Sequence, residues 1–248
     1  MKDKKTIIKL ENISFSYSNF HSNGTDVKIL DDLSFELFSD DKIGMMAPNG
    51  VGKTTLLHTI MGLSQPDNGT VELFGKKVAK EKEFAKYSPR IGLMFQDSDD
   101  QLFNPYVVDD VAFGPLNLGF SQKEALNIAK ETLSNLGIAE LENCIVHKLS
   151  GGQKRLVALA SVLAMKPEAL LLDEPTAGLD MDVKKRIEGI LKNLNIAFLV
   201  VAHDYNFLKS ITPRIISMKD GKILMDDQIH IHQHEHIHKY GHDPHTHV

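Results

Sequence analysis

Residues 47–55 read Ala47-Pro48-Asn49-Gly50-Val51-Gly52-Lys53-Thr54-Thr55, two glycines followed by a lysine and two hydroxyls. Gly50 and Gly52 let backbone N–H groups converge where a side chain would obstruct. A lysine beside such a cradle suits the β- and γ-phosphates of a nucleotide, and the Thr54 hydroxyl suits Mg²⁺. The pattern follows GxxxxGK[ST] except at its first position, where Ala47 stands. Alanine disfavours positive φ, so the loop must enter through an ordinary backbone conformation. The competing reading is a glycine-rich turn with no ligand. A distal carboxylate is also needed, and Leu170-Leu171-Leu172-Asp173-Glu174 supplies two after an apolar run. Asp173 is placed to hold Mg²⁺ through water. Glu174 is placed to take a proton from an attacking water, a role worth about 10²–10⁴-fold in rate. The bland alternative is that Asp-Glu-Pro only ends a strand.

These residues need particular elements to position them. Residues 42–47 read as a strand and 53–61 as a helix whose positive end faces the cradle. Upstream, 7–17 contains a strand-like alternation of Ile13, Phe15 and Tyr17 against Asn12, Ser14 and Ser16. A polar loop over 18–28 and a strand over 29–38 follow. Pro66 and Asn68-Gly69 mark a turn over 65–70, before a short strand over 71–74. Ala125, Ile128, Ala129, Leu133 and Leu136 share one helical face. Pro105, Pro115 and several glycines break up the stretch before it. The region from about 97 to 155 therefore reads as a helical insertion. Residues 169–172 and 196–202 are continuous apolar runs, as in strands covered on both faces.

Bulk properties narrow the choice. The chain has 248 residues, 42% hydrophobic and 25% charged, the range of a soluble globular domain. A formal charge of −5 gives no electrostatic grip on nucleic acid. Cys144 is the single cysteine, so no intramolecular disulfide can form. Residues 1–9 carry lysines but no apolar core of a secretory signal. No apolar run approaches the roughly 20 residues of a membrane helix, so any membrane role requires a partner.

Taken in order, the motifs resemble those of the ATPases of ABC transporters. Leu149-Ser150-Gly151-Gly152-Gln153 resembles the family signature, Gln96 its Q-loop glutamine, residues 177–180 its D-loop, and His203 its switch histidine. Tyr17 falls where the family stacks an aromatic ring on adenine. The resemblance spans about residues 6–225. It implies an α/β fold: a P-loop (RecA-like) core with an antiparallel β-subdomain and an inserted α-helical subdomain. It implies ATP and Mg²⁺, with Gln96 sensing the metal or its water and His203 donating to the γ-phosphate. Ser150, Gly151, Gly152 and Gln153 would bind the γ-phosphate held by a second ATPase protomer, identical or a sister chain. Asp180 would face that protomer, or cap a helix, or both. A histidine after a strand is otherwise most often a packing residue.

The stretch Phe95-Gln96-Asp97-Ser98-Asp99-Asp100-Gln101-Leu102-Phe103, with Val111-Ala112-Phe113-Gly114-Pro115-Leu116-Asn117, resembles the energy-coupling-factor group, cobalt and nickel importers in particular. There this region contacts integral membrane coupling subunits, which implies a peripheral position on the cytoplasmic face of the cell membrane. The plain alternative is a polar loop followed by a core helix. Residues 1–229 form the predicted ATP-binding domain and 230–248 a separate tail. The tail holds His230, His232, His234, His236, His238, His242, His245 and His247, eight of the chain's twelve histidines. Alternating imidazoles without thiolates suit Co²⁺, Ni²⁺, Zn²⁺ or Cu²⁺. An affinity tag and a solvated tail with incidental metal affinity are the alternatives. The expected function is ATP-driven uptake of Co²⁺ or Ni²⁺. The rivals are a vitamin importer of the same group, a soluble ABC protein acting on DNA or ribosomes, and a metal-buffering protein.

Overall fold

The computed structural model describes residues 4–18 and 26–224, and all structural statements concern these. Two 12-residue strands, β1 (Thr6–Tyr17) and β2 (Val27–Phe38), pair antiparallel. Next come β3 (Lys42–Met46), α1 (Lys53–Met61), β4 (Asn68–Leu73) and β5 (Lys76–Val78). The one-turn α2 (Glu81–Phe84) leads to β6 (Ile91–Met94). Then α3 (Val107–Asn117), α4 (Gln122–Asn135) and α5 (Gly151–Leu163) run before β7 (Ala169–Asp173). The chain continues as α6 (Met181–Asn193), β8 (Ala197–Ala202), α7 (Tyr205–Ile211), β9 (Arg214–Lys219) and β10 (Lys222–Leu224).

Two sheets result, so the fold is the expected α/β arrangement. One is antiparallel, of order β2-β1-β4-β5. The other has order β10-β9-β3-β8-β7-β6, parallel except for β10. Every residue of β7 and β8 is buried, which explains their unbroken apolar runs. Along β8, Phe198, Val200 and Ala202 pack with the helices α3–α5. Ala197, Leu199 and Val201 pack instead with the antiparallel sheet and α1. This period-2 division makes the central sheet a wall between two cores.

The helix over α1 matches the sequence reading, and β1–β3 agree with it to within two residues. Two stretches differ. The turn expected over 65–70 gives way at Asn68 to β4. Gly69 there has φ +97°, and a Cβ on it would lie 2.6 Å from the Glu11 carbonyl oxygen. The register between β1 and β4 shifts at this point, so Gly69 serves a bulge against β1. The stretch that Pro105 and Pro115 were expected to break up contains α3. Pro115 falls in its last turn, and burial of Val107, Val111, Ala112 and Pro115 outweighs the weak local propensity.

Asp110 anchors the entry to α3. Its Oδ1 accepts from the amides of Phe103 (3.1 Å) and Asn104 (3.0 Å) and from Asn104 Nδ2 (3.0 Å). Burial pushes this carboxyl above its ordinary value despite those bonds. Asp110→Ala leaves three donors without an acceptor, with an expected cost of about 1–3 kcal/mol. Asp110→Asn keeps an oxygen acceptor without a buried charge, so its Tm should equal or exceed the parent's near neutrality. A carboxyl raised by burial binds its proton more readily in the folded chain, so the parent gains stability as pH falls through that value. The Tm advantage of asparagine should therefore shrink in thermal melts run from about pH 8 down to about pH 5.

Candidate active site

The glycine-rich loop joins β3 to α1 at the carboxyl edge of the parallel strands, where ligands of such sheets bind. The first amides of α1 lack intrahelical acceptors, and no side chain caps them. Ala47 is buried and, as expected, is not among the residues with positive φ. Gly50 has φ +80°, and a Cβ there would meet nothing within 4 Å. Gly52 is constrained differently from the expectation. Its φ is +101°, and a Cβ would lie 2.7 Å from Ile29 Cγ2, so packing on β2 excludes a side chain.

Lys53 is buried, and its Nζ donates to Ala47 O (3.1 Å), Asn49 Oδ1 (3.2 Å) and Glu174 Oε1 (2.8 Å). Glu174 follows β7, is also buried, and takes a left-handed φ of +48°. A non-glycine residue in that region is held there by its surroundings, a mark of functional sites. Its amide donates to Val201 O on β8 at 2.9 Å, which fixes the carboxylate toward Lys53. His203, just past β8, places Nδ1 3.0 Å from Glu174 Oε1 and 2.9 Å from Oε2.

Thr54 Oγ1 donates to Asp173 Oδ2 at 2.7 Å. Asp173 Oδ1 is enclosed with no hydrogen-bond partner among the described residues. Burial raises this carboxyl; the Thr54 hydroxyl and then Lys53 oppose the rise. A hydroxyl beside a carboxylate with an unsatisfied oxygen is a hard, oxygen-only donor set, and it fits Mg²⁺. Tyr17, half exposed, reaches Thr55 Oγ1 at 3.3 Å through its hydroxyl. Tyr17, Asn49, Gly50, Gly52, Lys53, Thr54, Thr55 and exposed Gln96 line one cleft of about 320 Å³. Pro48 is exposed and Val51 half-buried at the loop's outer side.

The remaining expected residues lie elsewhere. Ser150 caps α5 with Gln153: Gln153 N donates to Ser150 Oγ (3.3 Å), and Ser150 N to Gln153 Oε1 (2.9 Å). Gly151 is exposed, and Gly152 is buried against Val183 of α6. Asp180 caps α6 through Oδ1, accepting from Asp182 N and Val183 N at 3.0 Å each. None of these residues lines the clefts bordering the phosphate loop. The histidines from His230 to His247 lie outside the described residues.

Arg155 is a residue the sequence reading missed. It is buried on α5, donates from a guanidinium nitrogen to Phe95 O at 3.0 Å, and faces Asp97, Asp173 and Glu174 electrostatically. Its burial lowers its affinity for the proton against the pull of those acids. An arginine in an otherwise apolar helix face, as in Leu149–Ala160, was the available signal.

A glycine loop beside a buried lysine and two carboxylates at one sheet edge is the arrangement of a P-loop nucleotide-binding protein. The sequence profile of the ABC transporter family matches residues 30–177, and the chain belongs to that family. It is 43% identical over 237 residues to a putative ABC transporter ATP-binding protein of Brucella suis biovar 1, covering 92% of this chain and 96% of that one. It is 41% identical over 204 residues to the cobalt import ATP-binding protein of Rhodobacter capsulatus, covering 81% and 73%. Among solved structures, cbiO1 of Clostridium perfringens, part of the ABC transporter complex cbiONQ, superposes with TM-score 0.75 at 32% identity, covering 89% and 88%. A dimeric ATP-binding cassette in a post-hydrolysis state with ADP and Pi superposes with TM-score 0.79 at 28% identity, covering 88% and 96%. The chain is thus an ATPase of the ABC transporter family.

The two loop glycines give a direct test. Gly52→Ala combines a left-handed φ with a clash against Ile29, and should cost about 2–3 kcal/mol in thermal melts. Gly50→Ala carries only the backbone penalty, about 1–2 kcal/mol. Equal losses would contradict the packing constraint at Gly52.

Proposed function

We propose that this chain is the ATP-hydrolysing subunit of an importer for Co²⁺ or Ni²⁺, working as one half of a dimer on the cytoplasmic face of a membrane. The observation that carries the ATPase part is the convergence of Lys53, Thr54, Asp173, Glu174 and His203 at one sheet edge. Lys53 exchanges Glu174 for the β- and γ-phosphates of ATP. Glu174, so released, accepts a proton from the attacking water. The water oxygen bonds to the γ-phosphorus as the β,γ-bridging P–O bond breaks, leaving ADP and phosphate. His203, beside the Glu174 carboxylate before nucleotide arrives, donates a ring N–H to the γ-phosphate. Thr54, with Asp173 acting through water and Gln96 beside them, would hold Mg²⁺, which supplies charge neutralisation on the phosphates. Tyr17 offers a stacking surface for adenine.

The separation of Ser150–Gln153 and Asp180 from this cluster supports a dimer. Each nucleotide would then be closed by the signature residues of a second protomer, identical or a sister ATPase. No helix among the described residues is long and apolar enough to cross a membrane, so translocation falls to integral membrane partners. Their docking site would be the apolar groove lined by Leu63, Phe95, Phe103, Phe113 and Met165. Phe103 and Phe113 are exposed there and meet edge to face at 4.7 Å. The Co²⁺ or Ni²⁺ assignment draws on the similarity to the cobalt import protein and on the histidine-rich 230–248, which would hold the cargo ion locally.

Lys53→Ala should reduce ATP hydrolysis by at least about 10³-fold in a phosphate-release assay, because it removes the phosphate contact and strands Glu174. Glu174→Gln should bind ATP, turn over slowly and accumulate as a dimer in size-exclusion chromatography with saturating ATP. A strictly monomeric Glu174→Gln chain would overturn the two-protomer reading. Pull-down from native membranes, followed by reconstitution, tests the cargo. Co²⁺ or Ni²⁺ should stimulate hydrolysis in the reconstituted complex, and truncation after residue 229 should weaken the metal response without abolishing it. No response to either ion would exclude the metal assignment.

A further inference from the structure

We propose that His58 is a positioning residue that couples the aromatic groove to the nucleotide cleft through ring contact with Phe95. This rests on the reading of the groove as the docking site of a membrane partner. His58 lies one helical turn beyond Thr54 on α1, so the two share a face. Its imidazole meets the Phe95 ring edge to face, with centroids 6.0 Å apart and planes at 72°. Phe95 belongs to both surfaces. It lines the groove with Phe103 and Phe113, and it lines the cleft containing Thr54, His58, Gln96 and Arg155. Phe95, with Asp100, therefore borders both.

The backbone of Phe95 is fixed on both sides. Its amide donates to Gln101 Oε1 (3.2 Å) and its carbonyl accepts from Arg155 (3.0 Å). Gln101 is itself held by Ala158 O (2.8 Å) and Ser161 Oγ (3.0 Å) of α5. With the main chain tied to α5, the ring is the part of Phe95 able to answer a group entering the groove. On the other side, His58 Nε2 is enclosed and has no hydrogen-bond partner among the described residues. That nitrogen carries no hydrogen bond, while the ring packs on Phe95 and acts electrostatically on Asp173. Displacing Phe95 shifts the support of His58, and through α1 the Thr54 hydroxyl one turn away. Coupling of this kind is reciprocal, so nucleotide binding must also be felt in the groove.

The chain contains no tryptophan, so Phe103→Trp installs a single fluorescent reporter in the groove. Mg-ATP added to this full-length variant should change its emission. Adding His58→Ala should cut that change at least about fivefold at saturating Mg-ATP, with full occupancy of both variants checked by displacement of a fluorescent analogue. His58→Phe keeps an aromatic edge without the unused nitrogen, and should restore the signal. A full signal in the alanine variant would overturn the proposal. So would a reporter that stays silent although the parent binds nucleotide, or a phenylalanine variant that behaves like alanine. Failure to recover any membrane partner, with the His58-dependent signal intact, would instead overturn the docking reading alone.

Discussion

The buried contact between Lys53 and Glu174 organises the site. Two opposite charges enclosed at 2.8 Å bring together the loop after β3 and the end of β7, strands that β8 keeps apart in the sheet. Neither charge could be enclosed alone, since an unpaired buried ion costs several kcal/mol. The pair is costly to form as well, because both groups lose hydration. The arrangement is therefore one that an incoming anion can enter: phosphate oxygens can replace the carboxylate at Lys53 without leaving the lysine unpaired. The left-handed backbone at Glu174 and its amide bond to Val201 O hold the start of this turn against β8, beside Lys53 and His203.

Around that pair, polar groups fall into two populations. Thr54 with Asp173, and Lys53 and His203 with Glu174, are bonded inside one chain. Ser150, Gln153 and Asp180 are bonded to the backbone of their own helix ends. The second set is locally satisfied, so it holds a fixed shape before any ligand arrives. Val183 packs on Gly152, so the helix that Asp180 caps also supports the signature turn. Two helix starts that touch each other are thus presented together, away from the phosphate loop. In the dimer reading, one rigid unit carries the complement for the other chain's nucleotide.

Arg155 and Phe95 show how the helical region is fastened to this centre. A buried guanidinium on α5 holds the main chain just before Gln96, while facing the acids at the end of β7. This bond ties α5 to the segment that carries Gln96. The aromatic groove is lined by the same segment, so the surface proposed to meet a partner also borders the cleft.

Much of this was legible in the sequence, because local patterns carry it. Glycine spacing, a lysine before two threonines, and unbroken apolar runs mark the loop and the strands on either side. Helix α1 follows from that pattern alone, whereas the cap of α5 by Ser150 and Gln153 emerges from the structure. Other features depend on contacts between distant residues. Gly52 is required by Ile29, and Gly69 by the backbone of Glu11, so neither reason can be read from neighbours in the chain. Helix α3 forms through Gly114 and Pro115 because burial against α4 and α5 exceeds local preference. Arg155 and His58 gain their surroundings only when α1, α5 and the Phe95 segment meet. The sequence by itself determined which groups could handle phosphate, since that depends on residue type and short spacing. Which of them share a cleft was decided only by the tertiary structure, since strand order in the sheet sets the distances between chain segments far apart.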